Sequence, residues 1–167
     1  MHRYLLWTAL PILLTLIGCG EKDDTRAVRR LIESSATMAE KHHIRELMQL
    51  TTEDFMALPG GYDTRIVRGI LFRAFNHYGQ FKIHFPHPSI EVTKGGHASA
   101  VVYFIIMSKD RSVPGLKELY DDPLRWIEKV GEKADLYQLR LDLVKKDMDW
   151  LVRQAHIERL KGGSFEP

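Results

Sequence analysis

One cysteine, Cys19, is all the thiol this 167-residue chain possesses. An internal disulfide is therefore excluded, as is any zinc or redox motif built on paired cysteines. Excess charge of one sign is missing too. The 24 Lys and Arg stand against 22 Asp and Glu, a net +2, which does not favour nucleic acid, whose binding needs a concentrated basic surface. Long apolar runs are scarce. Tyr4 to Gly20 carries no charge, but Pro11 interrupts it and it is shorter than the ~20 residues of a membrane-spanning helix. No phosphate-cradling loop is present, because Gly60-Gly61 and Gly95-Gly96 fit turns. No Gly-x-Ser-x-Gly elbow occurs either, and there are no internal repeats. What remains is a chain with 44% hydrophobic and 28% charged residues, enough to bury the core of one globular domain.

The beginning of the chain has the layout of an export signal. Met-His-Arg precedes the apolar stretch, and Glu21, Lys22, Asp23 and Asp24 follow it at once. Leu16-Ile17-Gly18-Cys19 resembles the lipobox of bacterial lipoproteins. The resemblance implies diacylglyceryl transfer to the Cys19 thiol, cleavage before it, and acylation of the new amine, by palmitate among other chains. Cys19 is then an anchor rather than a nucleophile. The organisation expected is a signal peptide over 1–18, a tether over 19–24, a domain over 25–161 and a flexible tail over 162–167. The location expected is the cell envelope, facing the periplasm. Gly20 stands where an aspartate would favour inner-membrane retention, so attachment to the outer membrane is preferred.

Beyond the tether the pattern is helical first and then stranded. Ala27, Val28, Leu31, Ile32, Ser35, Met38 and Ala39 recur at helical spacing, with Asp24 or Thr25 as cap. A short helix over Ile44, Leu47, Met48 and Leu50 follows. Thr51 and Asp54 have capping-box spacing, which predicts a further turn around Phe55. After the break at Leu58-Pro59-Gly60-Gly61, Asp63 opens a helix with the stripe Ile66, Val67, Ile70, Leu71, Ala74, Phe75 and Tyr78, stopped by Gly79. The period then becomes two. Phe81 to Phe85 is interrupted at Pro86 and Pro88, so it is an edge strand or bends there; Ile90 and Val92 resume it, and Lys94-Gly95-Gly96-His97 is a hairpin turn. Ala98 to Met107 is apolar on both faces and predicts a central, doubly covered strand. A helix from Pro123 is expected within an otherwise irregular 109–134. A closing hairpin turns at Lys146 to Asp149 and pairs Lys145 with Trp150, Leu143 with Val152 and Asp142 with Arg153. Helices followed by antiparallel strands make an α+β domain, with helices packed on one face of a curved sheet.

This order of elements resembles the nuclear transport factor 2-like superfamily, which includes polyketide cyclases and ketosteroid isomerases. The long first helix, the stripe helix ending at Gly79, the Gly-Gly hairpin before Ala98 and Trp150-x-Val152-x-x-x-His156 carry the likeness. It implies a cone-shaped domain in which a bent sheet wraps the helices around an apolar pocket. Such domains serve as enzymes, binding modules and docking domains, so the fold leaves function open.

The register of the closing hairpin sets Val152, Gln154, His156 and Glu158 on the helix-covered face with Leu139 and Leu141. Gln154, His156 and Glu158 are therefore pocket candidates, with Tyr103 as a fourth, and His156 is the candidate general acid or base. The alternative is that they are wet, structural strand-end residues. The aspartate base and tyrosine/acid oxyanion hole of the isomerases have no residue-by-residue match, so the resemblance carries no catalysis across. His84 and His87, three apart on a strand, point to opposite faces and form no metal pair. His42 and His43 read as helix-end surface residues. Tyr120 and Trp126 mark 109–134 as a lid, a partner-docking surface or a packed crossover. The function expected is a membrane-anchored, non-catalytic module binding a small apolar ligand or an envelope protein. No cofactor, metal or nucleic acid is expected. An isomerase, cyclase or hydrolase using His156 is the alternative, and a homodimer through the exposed sheet face is a third reading.

Overall fold

A computed structural model describes residues 19–108, 116–122, 125 and 135–161. The elements run α1 (Cys19–Glu40), α2 (Ile44–Gln49), β1 (Thr51–Leu58), α3 (Thr64–Tyr78), β2 (Phe81–His84), β3 (Ser89–Thr93), β4 (His97–Ser108), α4 (Leu116–Asp121), β5 (Asp135–Lys146) and β6 (Asp149–Lys161). One sheet has the order β1-β6-β5-β4-β2, with β3 also paired to β4. β1 runs parallel to β6, and the other pairs are antiparallel. This is the α+β arrangement the sequence predicts.

The core lies on one side of the sheet, here the helix side. Val28 and Ile32 of α1 pack over Ala98, Ala100 and Val102 of β4, Leu141 and Leu143 of β5, Trp150 and Val152 of β6, and Phe55 of β1. Val28 and Leu143 are 0% and 1% exposed. The 3.6-residue stripe of α1 therefore meets the two-residue alternation of three neighbouring strands.

The stretch read as a tether forms the first turns of α1, and Asp24 belongs to the domain rather than to a linker. Its Oδ1 accepts from Lys145 Nζ at 2.6 Å and from Trp150 Nε1 at 3.3 Å. The Lys145 ammonium also lies 5.9 Å from the centroid of the Trp150 ring. The hydrogen bond from Lys145 holds the Asp24 carboxyl below its ordinary range, against the opposing effect of burial. A carboxylate with a depressed folded-state pKa adds stability above its unfolded pKa, about 3.9, and that stability is lost as pH falls through the folded value. Asp24→Asn is expected to cost about 1–2 kcal/mol near neutral pH, in line with charge-assisted hydrogen bonds. The difference should close in acid below the folded pKa. Urea melts of both proteins from neutral to strongly acidic pH check this, and a pH-independent difference would contradict it.

At its other end α1 closes with His42 in the left-handed region, φ 59°, and His43 N–H donates to Met38 O at 2.9 Å. His42 stacks on Phe75 and Phe81 at 5.1 and 5.5 Å, and its Nε2 lies 2.9 Å from Gly79 O. It sits at a helix end, as expected, and ties that end to α3 and β2. Glu40 accepts from Lys82 Nζ at 2.6 Å and from Ile83 N–H at 2.9 Å, so a side chain occupies the free edge of β2.

Two expectations on β1 and β4 are corrected. Thr51 and Asp54 begin no helical turn, since 51–58 is strand β1. Only eight residues separate Leu50 from the Pro59-Gly60 break; β6 supplies parallel backbone partners, and Phe55 is buried in the core. In the break, the Tyr62 ring crosses over Gly60 in the space a Cβ would take. β4 is buried on one face at Ala98, Ala100 and Val102, while Ser99 and Tyr103 are exposed. Burial passes to the other parity at Ile105 and Met107. The apolar run thus reflects a strand whose covered face changes along its length.

Candidate functional site

A single irregularity decides where the pocket candidates lie. β5 and β6 pair as expected at Lys145–Trp150 and Leu143–Val152, and then the register shifts between Asp142 and Leu143. Asp142 meets Gln154 rather than Arg153, and Ala155 meets Leu141. A bulge adds one residue to one strand and turns every later side chain to the opposite face. Gln154, His156 and Glu158 therefore stand opposite Asp142, Arg140 and Gln138 on the outer side of the sheet, away from the helices. This corrects their expected place on the helix-covered face. Ala155 packs against the core instead.

Tyr103 is on the outer side as well, 36% exposed. It accepts from Gln138 Nε2 at 2.6 Å, and Gln138 Oε1 accepts from Arg140 Nε and Nη2 at 3.2 and 2.9 Å. The four pocket candidates thus share one face, but it is an open, charged one. Asp142 and Arg153, the expected cross-strand pair, line a groove of about 350 Å³ on this side with Glu91 and His97. A second groove, of about 390 Å³, lies at the far end between Glu40, His42 and Phe81.

The helix side carries an arrangement that sequence reasoning did not single out. The Asp63 carboxylate caps α3 by accepting from Ile66 N–H at 2.8 Å, and Gly79 ends it at φ 61°. These limits bring Tyr78, on the last turn of α3, to β5, where its hydroxyl lies 2.9 Å from that of Tyr137. Phe104 stacks on Tyr137 at 5.3 Å. Tyr137 is 8% exposed, so its hydroxyl meets a partner inside a largely apolar environment. Of the α3 stripe only Phe75 is buried; Val67, Ile70, Leu71 and Ala74 are half-buried and Ile66 is 44% exposed. On the same face as Leu139, Ile157 of β6 is 49% exposed. Partly covered apolar side chains of α3 and Ile157 thus stand on the helix side of the fold, as do the paired phenol hydroxyls. The available signal was two tyrosines, rather than phenylalanines, at positions where periodicity points inward.

The remaining candidates fall elsewhere. His84 on β2 is half-buried, and burial lowers its pKa, partly offset by the Glu40 carboxylate. Among the described residues no group of three or more His, Cys, Asp or Glu is placed to hold a metal. Also among them, no helix is long and apolar enough to cross a membrane. Tyr120 falls within α4. Trp126, the apolar leader, most of the helix expected from Pro123 and the tail lie outside the described residues; Asp122 Oδ1 does accept from Arg125 N–H at 3.2 Å, the spacing of a helix cap. Cys19 is the first residue of α1.

Helices cupped on the concave side of a bent, mostly antiparallel sheet define the nuclear transport factor 2-like, or cystatin-like, fold, and the chain has that fold. Solved structures share it. One is a protein from Novosphingobium aromaticivorans described as a candidate scytalone dehydratase, 15% identical, with TM-score 0.59, covering 83% of this chain and 85% of the other. Another, from the same organism, is described as a nuclear transport factor 2-like protein with a cystatin-like fold, 15% identical, with TM-score 0.57 and 86% of each chain covered. A third is ActVI-ORFA from Streptomyces coelicolor, 14% identical, with TM-score 0.60, covering 83% of this chain and 96% of the other. No protein-family model matches the sequence, and no curated protein is significantly similar to it. At these identities the likeness is one of fold.

Proposed function

We propose that this chain is a lipid-anchored domain of the cell envelope. It faces the periplasm and binds a small, mostly apolar molecule between α3 and the helix side of β4, β5 and β6. The half-covered apolar stripe of α3 carries the reading. Apolar surface left open beside a few placed polar groups is the usual make-up of a ligand site. The Tyr78–Tyr137 pair supplies hydroxyls that both donate and accept, and so suits a ligand with one carbonyl or hydroxyl oxygen. His156, on which the enzymatic alternative depends, stands opposite Arg140 on the other face.

The test is mass spectrometry of apolar molecules extracted from the protein purified out of membranes. One class of compound should be retained by the parent protein and by His156→Ala, and be depleted in the doubly substituted Tyr78→Phe, Tyr137→Phe protein. Loss of a hydrogen bond to a ligand oxygen weakens binding by about 0.5–1.5 kcal/mol, or roughly 2- to 10-fold. Turnover of an extracted compound that disappears in a folded His156→Ala protein would restore the enzymatic alternative.

A further inference from the structure

Three segments meet at one end of the domain. Lys145 N–H donates to Gly96 O at 2.7 Å, so the β3–β4 turn at Lys94 to Gly96 lies against the β5–β6 turn. Asp24 fastens the onset of α1 to the same place through Lys145 and Trp150. From there α1 runs inward and ends at Glu40, which holds β2 at the opposite end of the sheet. Beyond Asp24 the helix continues back to Cys19, five residues or about 7.5 Å at 1.5 Å per residue. Beyond Lys145 the hairpin continues to Asp147 and Met148, about 7–10 Å at 3.3 Å per residue. The helix onset and the hairpin tip thus project in the same direction to about the same level. Met148, at the tip, is 84% exposed.

We propose that this end is the face the domain presents to phospholipid, with Met148 resting among the headgroups and the Tyr78–Tyr137 pair held far from the bilayer. The proposal rests on the anchoring reading above: an acylated Cys19 leaves no slack, because Asp24 already belongs to the folded body. Lys22, Arg26, Lys94 and Lys146 at this end are matched by Asp23, Asp147 and Asp149, with Arg26 Nη2 3.7 Å from Asp23 Oδ1. Near-balanced charge gives no strong attraction to anionic lipid, so the acyl chains supply the affinity and the fold supplies the orientation. Tyr137 lies nine residues up β5 from Lys146, about 30 Å at strand spacing. A ligand therefore reaches Tyr78 and Tyr137 from the aqueous side, not by lateral transfer out of the membrane.

The experiment uses the full chain, processed in cells, in vesicles of phosphatidylethanolamine and phosphatidylglycerol carrying a headgroup spin label. An environment-sensitive fluorophore is placed at Met148→Cys and, in a separate protein, at Lys41→Cys, which is exposed just past the far end of α1. The fluorophore at 148 should be quenched several-fold more than the one at 41, and the difference should persist when phosphatidylglycerol is left out. Equal quenching, or stronger quenching at 41, in protein that floats with the vesicles would overturn the orientation while leaving the anchor intact. Failure of the unlabelled chain to float with the vesicles would overturn the anchoring reading, and the orientation with it.

Discussion

Serine in place of Cys19 is expected to abolish incorporation of labelled palmitate and to leave the leader uncut. The physical reason is that the thiol is the acceptor on which the lipobox resemblance depends. Each buried methylene contributes about 0.8 kcal/mol, so one acyl chain gives only marginal binding while two or more hold a protein at the bilayer. The parent chain should therefore stay in the membrane fraction through high salt and be released only by detergent. Gel migration and palmitate labelling in growing cells make the comparison. Labelling that continues in Cys19→Ser, or a parent chain that salt alone releases, would contradict this reading.

Leu143→Ala is expected to remove about 3–5 kcal/mol, the range for a well-packed leucine whose cavity cannot collapse. Leu143 is 1% exposed and stands between Ala98 and Val152 under α1. On the β4 side its neighbours are held by a continuous ladder, and the covering Val28 is held from α1, so little can move in to fill the space. Against a typical domain stability of 5–15 kcal/mol, this takes away a large share. It should appear as a lower urea midpoint with an unchanged slope. A loss below about 1 kcal/mol would mean that the packing at the centre of the sheet is not as described.

The elements were legible wherever a local rule governs the chain. The Asp63 cap, the Gly79 stop, the Gly95-Gly96 turn and the pairing of Lys145 with Trp150 each follow from a few neighbouring residues, and the structure has all of them. β1 was not legible, because Thr51 and Asp54 satisfy a helix-start pattern and only the distant β6 draws the segment into a strand. The candidate site was misplaced for a similar reason. The bulge beside Asp142 has no local signature, since neither glycine nor proline marks it, yet it moves Gln154, His156 and Glu158 to the other face. Tyr78 and Tyr137 lie 59 residues apart, and no spacing rule links them. The tether merged into α1 because Asp24 finds Lys145 across 121 residues. Local chemistry names the elements, whereas the far side of the sheet decides which side chains share a face.

The proposed site lies on the helix side of the sheet, and photolabelling asks directly whether it does. An apolar aromatic ketone carrying a diazirine, added to isolated membranes and activated by light, would mark the residues lining its binding surface, and fragmentation of the peptides would locate them. Adducts on Tyr78, Phe104, Tyr137 and Ile157 are predicted, diminished when the extracted natural compound is added first. Adducts confined to Tyr103, Arg140, His156 or Glu158 would put the binding surface on the outer side and contradict the account.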